Sequence, residues 1–370
     1  MSPRVLTQTH ARRFAEDALG LRVAFPDLTD AITTLGYVQL DPINVCGRMH
    51  DLILRNRVSG YREGDLLRYT HPPAGERRLA FEHYLPGRGI LVVFPMEAWP
   101  VIATVTTQRR QGGGAHWPSR HLSSAEEKLG ERIRAELRDR GPLTSDDIEH
   151  EGRAITAWGT RGRLVKHVLE ALFHRGEVLI AGRREFRRVY DLPERVIPAS
   201  VRKCRLPSVD EALRAIVTFG LRQKRLVALP RRDRARVADL IEDVRLDTGA
   251  KLQVLREDHA RLDRAAVQDA STDPVRLLAP LDPLIYDRSV TREVWGFDYT
   301  WEVYTPPTRR VRGYYALLVL SRGELVGHVE PRADREARRL RVVSRRMRRG
   351  HSTAQAVEEL AEFLGLRPPA

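Results

Sequence analysis

Gly36-Tyr37-Val38-Gln39-Leu40-Asp41-Pro42-Ile43-Asn44-Val45, followed by Arg48, His50, Arg55 and Arg57, is the stretch on which the reading of this chain turns. Tyr37, Val38 and Leu40 favour a strand, and Pro42 biases Asp41 away from helix. Side chains two apart in an extended segment point the same way. Gln39 and Asp41 therefore present an amide and a carboxylate on one face, while Val38 and Leu40 anchor the other. Beyond Pro42 the spacing of Val45, Met49, Leu52 and Ile53 predicts a helix. Arg48 and Arg55 would lie two helical turns apart on it, which makes one face cationic. A carboxylate and an amide at the lip of an arginine face suit chemistry on a phosphodiester-backed substrate. The pattern by itself favours a plainer reading, a buried turn in which Asp41 bonds nearby backbone.

Working outward, 370 residues predict about two to four compact units rather than one core. The net charge is +14 and the pI about 10.3, which points to an anionic partner. Only 5 of the 63 basic residues are lysine, a composition that fits GC-rich coding. Such a bias inflates arginine but does not by itself produce an excess over acids. Arginine also suits phosphate and guanine edges better than lysine does. Cys46 and Cys204 stand far apart in no CxxC pattern, which suits a reducing compartment and argues against a structural zinc or an iron–sulfur cluster. Neither a signal-peptide pattern nor an apolar run longer than Gly89 to Met96 occurs, so a cytoplasmic, nucleoid-associated protein is expected.

Helices are predicted at 8–20 and 28–35, the second stopped by Gly36, and a short one at 63–70. Phe81-Glu82-His83-Tyr84-Leu85-Pro86-Gly87-Arg88-Gly89-Ile90 contains LPGRG, which resembles the hairpin of helix-hairpin-helix DNA glycosylases. That match fails, because those enzymes need an Asp roughly twenty residues on and none occurs between Asp65 and Asp139. A Pro/Gly turn before a buried strand is the better reading. Residues 108–124 read as a flexible basic loop; its His116 and His121 lack a third metal ligand. From Ser123 a winged helix-turn-helix is legible: a helix at 124–138, a Gly141-Pro142-Leu143 turn, a short helix at 146–149 capped by Thr144 or Ser145, and a helix at 161–175. A β-hairpin wing follows, turning at 181–184 and returning through Phe186-Arg187-Arg188-Val189-Tyr190. Residues 193–207 read as a linker. A second, less clear unit has a helix at 210–217, a helix at 234–243 and a wing beginning at 251. Strands are expected within 275–345, including 301–304, 314–320, 325–329 and 340–343, before a last helix at 353–364.

The expected fold is therefore α+β: tandem winged helix-turn-helix modules and a β-rich C-terminal region forming a basic concave DNA-binding cleft. The domains expected are 1–122, 123–198, 199–272 and 273–370. As an ordered set, several blocks resemble the YcaQ and AlkZ group of bacterial DNA glycosylases over nearly the whole chain. They are Gln39-Leu40-Asp41-Pro42-Ile43-Asn44-Val45, Gly141-Pro142-Leu143-Thr144, Tyr190-Asp191-Leu192-Pro193-Glu194-Arg195-Val196 and Leu281-Asp282-Pro283-Leu284-Ile285-Tyr286-Asp287-Arg288. Further on come Trp295-Gly296-Phe297, Gly313-Tyr314-Tyr315 and Val326-Gly327-His328-Val329-Glu330-Pro331-Arg332-Ala333-Asp334-Arg335. Within that group the short motif is Gln-x-Gln in one branch and Gln-x-Asp in the other; this chain has the latter. It departs at Phe81-Glu82-His83-Tyr84, where the group carries a Phe-Glu-Tyr-Trp run.

What the resemblance implies is excision of N7-alkylated guanine from double-stranded DNA, including unhooking of interstrand crosslinks. N7 alkylation makes the base cationic, so it leaves with little acid assistance, through an oxocarbenium-like transition state at the sugar. Asp41 is expected to stabilise that cation and activate water, with Gln39 holding the geometry. No lysine lies near the motif, so a monofunctional enzyme leaving an abasic site is expected, without metal or other cofactor and as a monomer. DNA contacts are expected from Arg48, His50, Arg55 and Arg57, from Arg183, Arg184, Arg187 and Arg188 on the wing, and from Arg332 and Arg335 on a C-terminal hairpin. Asn44, Asp282, Arg288 and His328, in the matching blocks, are expected to support the site. Tandem winged helices and charge alone would favour a non-catalytic transcription regulator.

Overall fold

A computed structural model describes residues 3–73, 75–113, 116–117, 120–155, 161–185, 187–267 and 273–369. It is a mixed α/β chain with small sheets, in two compact units: Met1–Leu66 with Val217–Ala370, and Leu67–Ile216. The boundary expected at 122/123 and the one at 198/199 both fall inside the second unit, and the two chain ends share the first. Among the described residues no helix is long and apolar enough to cross a membrane.

In the first unit, Arg4–Leu6 runs parallel to Ile241–Leu246, which pairs antiparallel with Lys251–Leu255. Buried Val244 and Leu246, two apart on one face, fit this segment as a strand. The helix expected at 234–243 is accordingly shorter, Arg231–Arg236, starting just after Pro230. A second, four-stranded antiparallel sheet runs in the order Arg276–Leu278, Leu317–Ser321, Glu324–Asp334, Arg339–Met347. Its ladder shifts register between Glu330 and Pro331, where proline has no N–H to donate. The helices Met49–Leu54 and Ala354–Phe363 pack on this sheet, burying Cys46, Met49, Leu52 and Ile53 with Leu317, Val329, Val357 and Leu360.

That packing joins residues from opposite ends of the chain, and two polar contacts reinforce it. Arg57 and Asp282 are both fully buried and meet at 2.6 and 2.8 Å in a two-pronged pair. Asn56 donates to the Leu277 carbonyl at 3.0 Å. A second buried pair, Arg225 with Asp258 at 2.8 Å, reaches the Thr34 carbonyl through its other guanidinium nitrogen. Trp301–Tyr304, expected as a strand, is irregular: the prolines at 306 and 307 deny ladder bonds, and Glu302 turns inward to bind backbone instead. The helix Arg288–Trp295, unforeseen, is capped by Asp287.

The second unit centres on the helices Ser124–Arg140 and Leu164–His174, with Gly130 letting Leu172 approach. Ser123 and Glu126 form a full capping box at the first helix. The sheet beside them orders Leu143–Thr144, Arg187–Asp191, Leu179–Arg184. The strand through 181–184 continues where a turn was expected, a bulge between Ile180 and Gly182 absorbing the extra residue. Glu185 turns the chain at φ 57°; Phe186 lies outside the described residues. No helix forms at 146–149, because Thr144 and Asp147 close a turn on each other through bonds of 2.7 and 2.8 Å. Residues 161–163 are a strand, and the helix starts at Leu164. The start of the expected basic loop, Gln108 to Arg110, closes the helix Trp99–Arg110. The expected linker is two short docked helices, Pro193–Val196 and Ala199–Arg202, with Arg195 donating to the Leu137 and Arg138 carbonyls. The LPGRG segment joins the strands Ala80–Tyr84 and Leu91–Pro95 as a hairpin loop.

Removing one member of the Arg57–Asp282 pair strands a buried charge. Asp282→Ala is expected to cost about 3–5 kcal/mol of unfolding free energy. The double variant Arg57→Met/Asp282→Leu should recover most of that loss in denaturant melts; equal loss in single and double variants would count against the pair.

Candidate active site around Gln39 and Asp41

Three local devices shape the motif. Gly36 ends the helix Leu28–Leu35 at φ 78°, where a Cβ would sit 3.3 Å from the Phe219 backbone. Gln39 closes the short strand Val38–Gln39. Asp41 then folds back on itself, its Oδ1 accepting the Ile43 N–H at 2.9 Å across exposed Pro42. Asn44 repeats the device, its Oδ1 accepting from Gly47 at 3.1 Å. Gly47, at φ 125°, leaves no room for a Cβ against Leu52 and Leu364.

The C-terminal hairpin grips this loop. Ala333 donates its N–H to the Val45 carbonyl at 3.0 Å, and Arg335 donates to Asn44 Oδ1 at 3.1 Å. Under the hairpin, two buried carboxylates hold consecutive backbone amides. Glu302 accepts from Val311, Arg312 and Gly313 at 2.8 to 3.1 Å. Glu330 accepts from Tyr314 at 2.8 Å and Tyr315 at 3.3 Å. Gly313 is required there, since a Cβ would fall 2.2 Å from the Glu330 carboxylate. The cradle fixes fully buried Tyr315, whose hydroxyl meets the Met49 sulfur at 3.7 Å. Burial pushes the Tyr315 hydroxyl well up, and the negative charge of Asp41 pushes it further.

Asp41 is half-buried. Burial raises its carboxyl above the usual carboxylate range, and the Ile43 N–H pulls it part of the way back. Among the described residues its Oδ2 takes no hydrogen bond. Gln39 is 9% exposed, and among the described residues its side-chain amide makes no hydrogen bond. The arrangement offers a carboxylate oriented through one oxygen, with the other oxygen and a neighbouring amide uncommitted.

The cationic helix face expected beside it does not form. The helix Met49–Leu54 is only six residues, with Arg48 as extended N-cap and Arg55 as C-cap. Arg48 is half-buried and carries no ion pair among the described residues. Arg55 lies over the Phe363 ring at 5.2 Å. His50 is buried 3.8 Å from the Asp51 carboxylate, and Arg57 is consumed by Asp282. Burial withdraws His50 and Arg57 from the solvent-facing role expected of them, and Arg55 is half-buried. In the second unit all four wing arginines have carboxylate partners: Arg183 with Glu82, Arg184 with Asp147, Arg187 with Asp146 and Arg188 with Glu170. Arg184 and Arg187 keep side chains 61% exposed; Arg183 and Arg188 are mostly covered. Arg332 is exposed near the hairpin tip, and Arg335 bonds Asn44. Arg288 is exposed at the start of its helix, and His328 is buried in the Glu324–Asp334 strand.

The motif pattern did not reveal Glu302, Glu330 or Tyr315 as the parts that hold the loop. An acid directly after an apolar run, as in Val326-Gly327-His328-Val329-Glu330, is the one local signal of a buried carboxylate.

The family model described as DNA glycosylase AlkZ-like matches residues 32–365. The fold is similar to that of Streptomyces sahachiroi DNA glycosylase AlkZ, with TM-score 0.62 and 18% identity over 99% of each chain.

Glu330→Ala removes the acceptor of two buried amides. Amide hydrogen exchange at Tyr314 and Tyr315 should accelerate sharply, with a stability loss of about 1–3 kcal/mol. Unchanged protection at both amides would refute the cradle.

Proposed function

We propose that this chain, which belongs to the AlkZ-like DNA glycosylase family, hydrolyses the N-glycosidic bond of N7-alkylated guanine in duplex DNA. It thereby unhooks interstrand crosslinks and leaves an abasic site. The observation that carries the reading is the Asp41 carboxylate, with one oxygen fixed by the Ile43 N–H and the other uncommitted in a half-buried loop. As the cationic base departs, positive charge develops at the sugar, and a preoriented carboxylate stabilises it without reorganising. Asp41 then takes a proton from the attacking water, and Gln39 positions that water or a neighbouring sugar or phosphate oxygen. A raised carboxyl pKa makes Asp41 a better proton acceptor than a solvated Asp. N7 alkylation supplies the leaving group, so no strong general acid is required. No lysine precedes Lys128 in the sequence, which favours simple hydrolysis over an imine with the sugar.

The helix-and-hairpin units are read as winged helices holding the duplex, and Arg48, Arg184, Arg187, Arg288 and Arg332 are the proposed phosphate contacts. Arg335 and Asn44 hold the loop, and Asp282 acts through Arg57. The regulator reading has no use for an uncommitted carboxylate in a strapped loop, and the family match does not favour it.

Asp41→Asn should lower single-turnover release of 7-methylguanine from duplex DNA by about 100-fold or more, with duplex binding retained. Unchanged turnover would sink the mechanism. Activity requires ionised Asp41, so it falls as pH drops through the raised pKa. The acid limb of kcat/KM should therefore lie above the about 3.9 of a solvated Asp. The logarithm of duplex affinity should decline linearly with log salt, with a slope of about −0.9 per phosphate contacted; a flat dependence would exclude the proposed contacts.

A further inference from the structure

Away from the Asp41 loop, the first unit has a cleft of about 320 Å³ lined by Phe297, Arg312, His328, Arg346 and Arg348 with Gly327 in its floor. His328 and Arg346 are cross-strand neighbours in the terminal hairpin. His328 is 7% exposed, and among the described residues its ring makes no hydrogen bond. Arg346 is exposed and has no carboxylate partner among the described residues. Arg312 stands over the Phe297 ring at 5.6 Å and bonds the Asp298 carbonyl. Arg348 pairs with Glu324 at the rim.

Basic groups placed directly across a strand pair normally cost stability. The nearby acids do not offset them by hydrogen bonding, because Glu302 and Glu330 are saturated by the amides of 311–315 and by Ser344. Gly327 lets the two strands approach here: a Cβ there would lie 2.1 Å from the Arg346 carbonyl. A concave site with a buried imidazole, an unpaired guanidinium and a second guanidinium held on an aromatic ring matches an anion with several acceptor oxygens.

We propose that this cleft binds a phosphate group, with His328 and Arg346 as its principal ligands and Arg312 as a third. Duplex backbone and free phosphate share that chemistry. Burial, and after it the facing Arg312 and Arg346, hold the His328 pKa below the usual histidine value, while Glu302 and Glu330 oppose them. A bound anion offsets the two arginines and favours the imidazolium.

The test follows the His328 Cε1–H signal by NMR in the full-length protein, identified by its loss in His328→Gln. Inorganic phosphate should raise its titration midpoint by about one pH unit, and Arg346→Ala should remove at least half of that shift. A short undamaged duplex reproducing the shift, in competition with phosphate, identifies the backbone as the source. A shift with phosphate alone identifies a free phosphate ligand. No shift with either, or a shift indifferent to Arg346→Ala, overturns the proposal. If His328→Gln fails to fold, the signal is identified instead as the one whose midpoint rises in Arg346→Ala without phosphate. The readout does not involve base excision, so it stands apart from the reading of Asp41.

Discussion

The buried Arg57–Asp282 pair is the constraint on which the first unit depends. Both side chains are out of water, 225 residues apart in sequence, and each would be stranded without the other. Attraction between two charges in a dry interior barely offsets their desolvation, so such a pair adds little net stability. What it supplies is position. Arg57 also caps the Ile53 carbonyl, and Asp282 also takes the Leu284 N–H. The end of the helix that follows the Asp41 loop is thereby locked to the segment leaving the first strand of the four-stranded sheet.

The same logic recurs nearer the candidate site. Glu302 and Glu330 are buried acids that hold five consecutive amides and so fix Tyr315 beneath the loop. Hairpin contacts at Val45 and Asn44 hold it from the other side. A carboxylate expected to act on a developing cation needs this rigidity, because electrostatic stabilisation is largest when the charge is already in place. Arg57, Arg225, Arg183 and Arg188 are cancelled by their own carboxylate partners, so the net +14 resides on other basic residues.

Much of the architecture was legible locally. The helices at 8–20, 28–35, 124–138 and 353–364 follow from apolar stripes bounded by caps and glycines, and the structure has each within a few residues. Where expectation failed, a competing local bond or a distant partner had won. Thr144 and Asp147 closed a turn in place of a helix; Ile241 to Leu246 joined a strand from the other end of the chain. The helix Trp99–Arg110 was missed because its faces are nearly equally apolar, which leaves no stripe to see.

The sequence by itself determined that a strand-favouring segment carries Gln39 and Asp41 two residues apart, that glycine and proline punctuate it, and that the chain is strongly basic. Tertiary structure alone decided which arginines remain free and which carboxylate is left uncommitted. Period and spacing encode a residue's neighbours within a few positions. Burial and ion pairing depend on partners such as Asp282 for Arg57 or Glu82 for Arg183, more than a hundred residues away, and no local pattern carries that information.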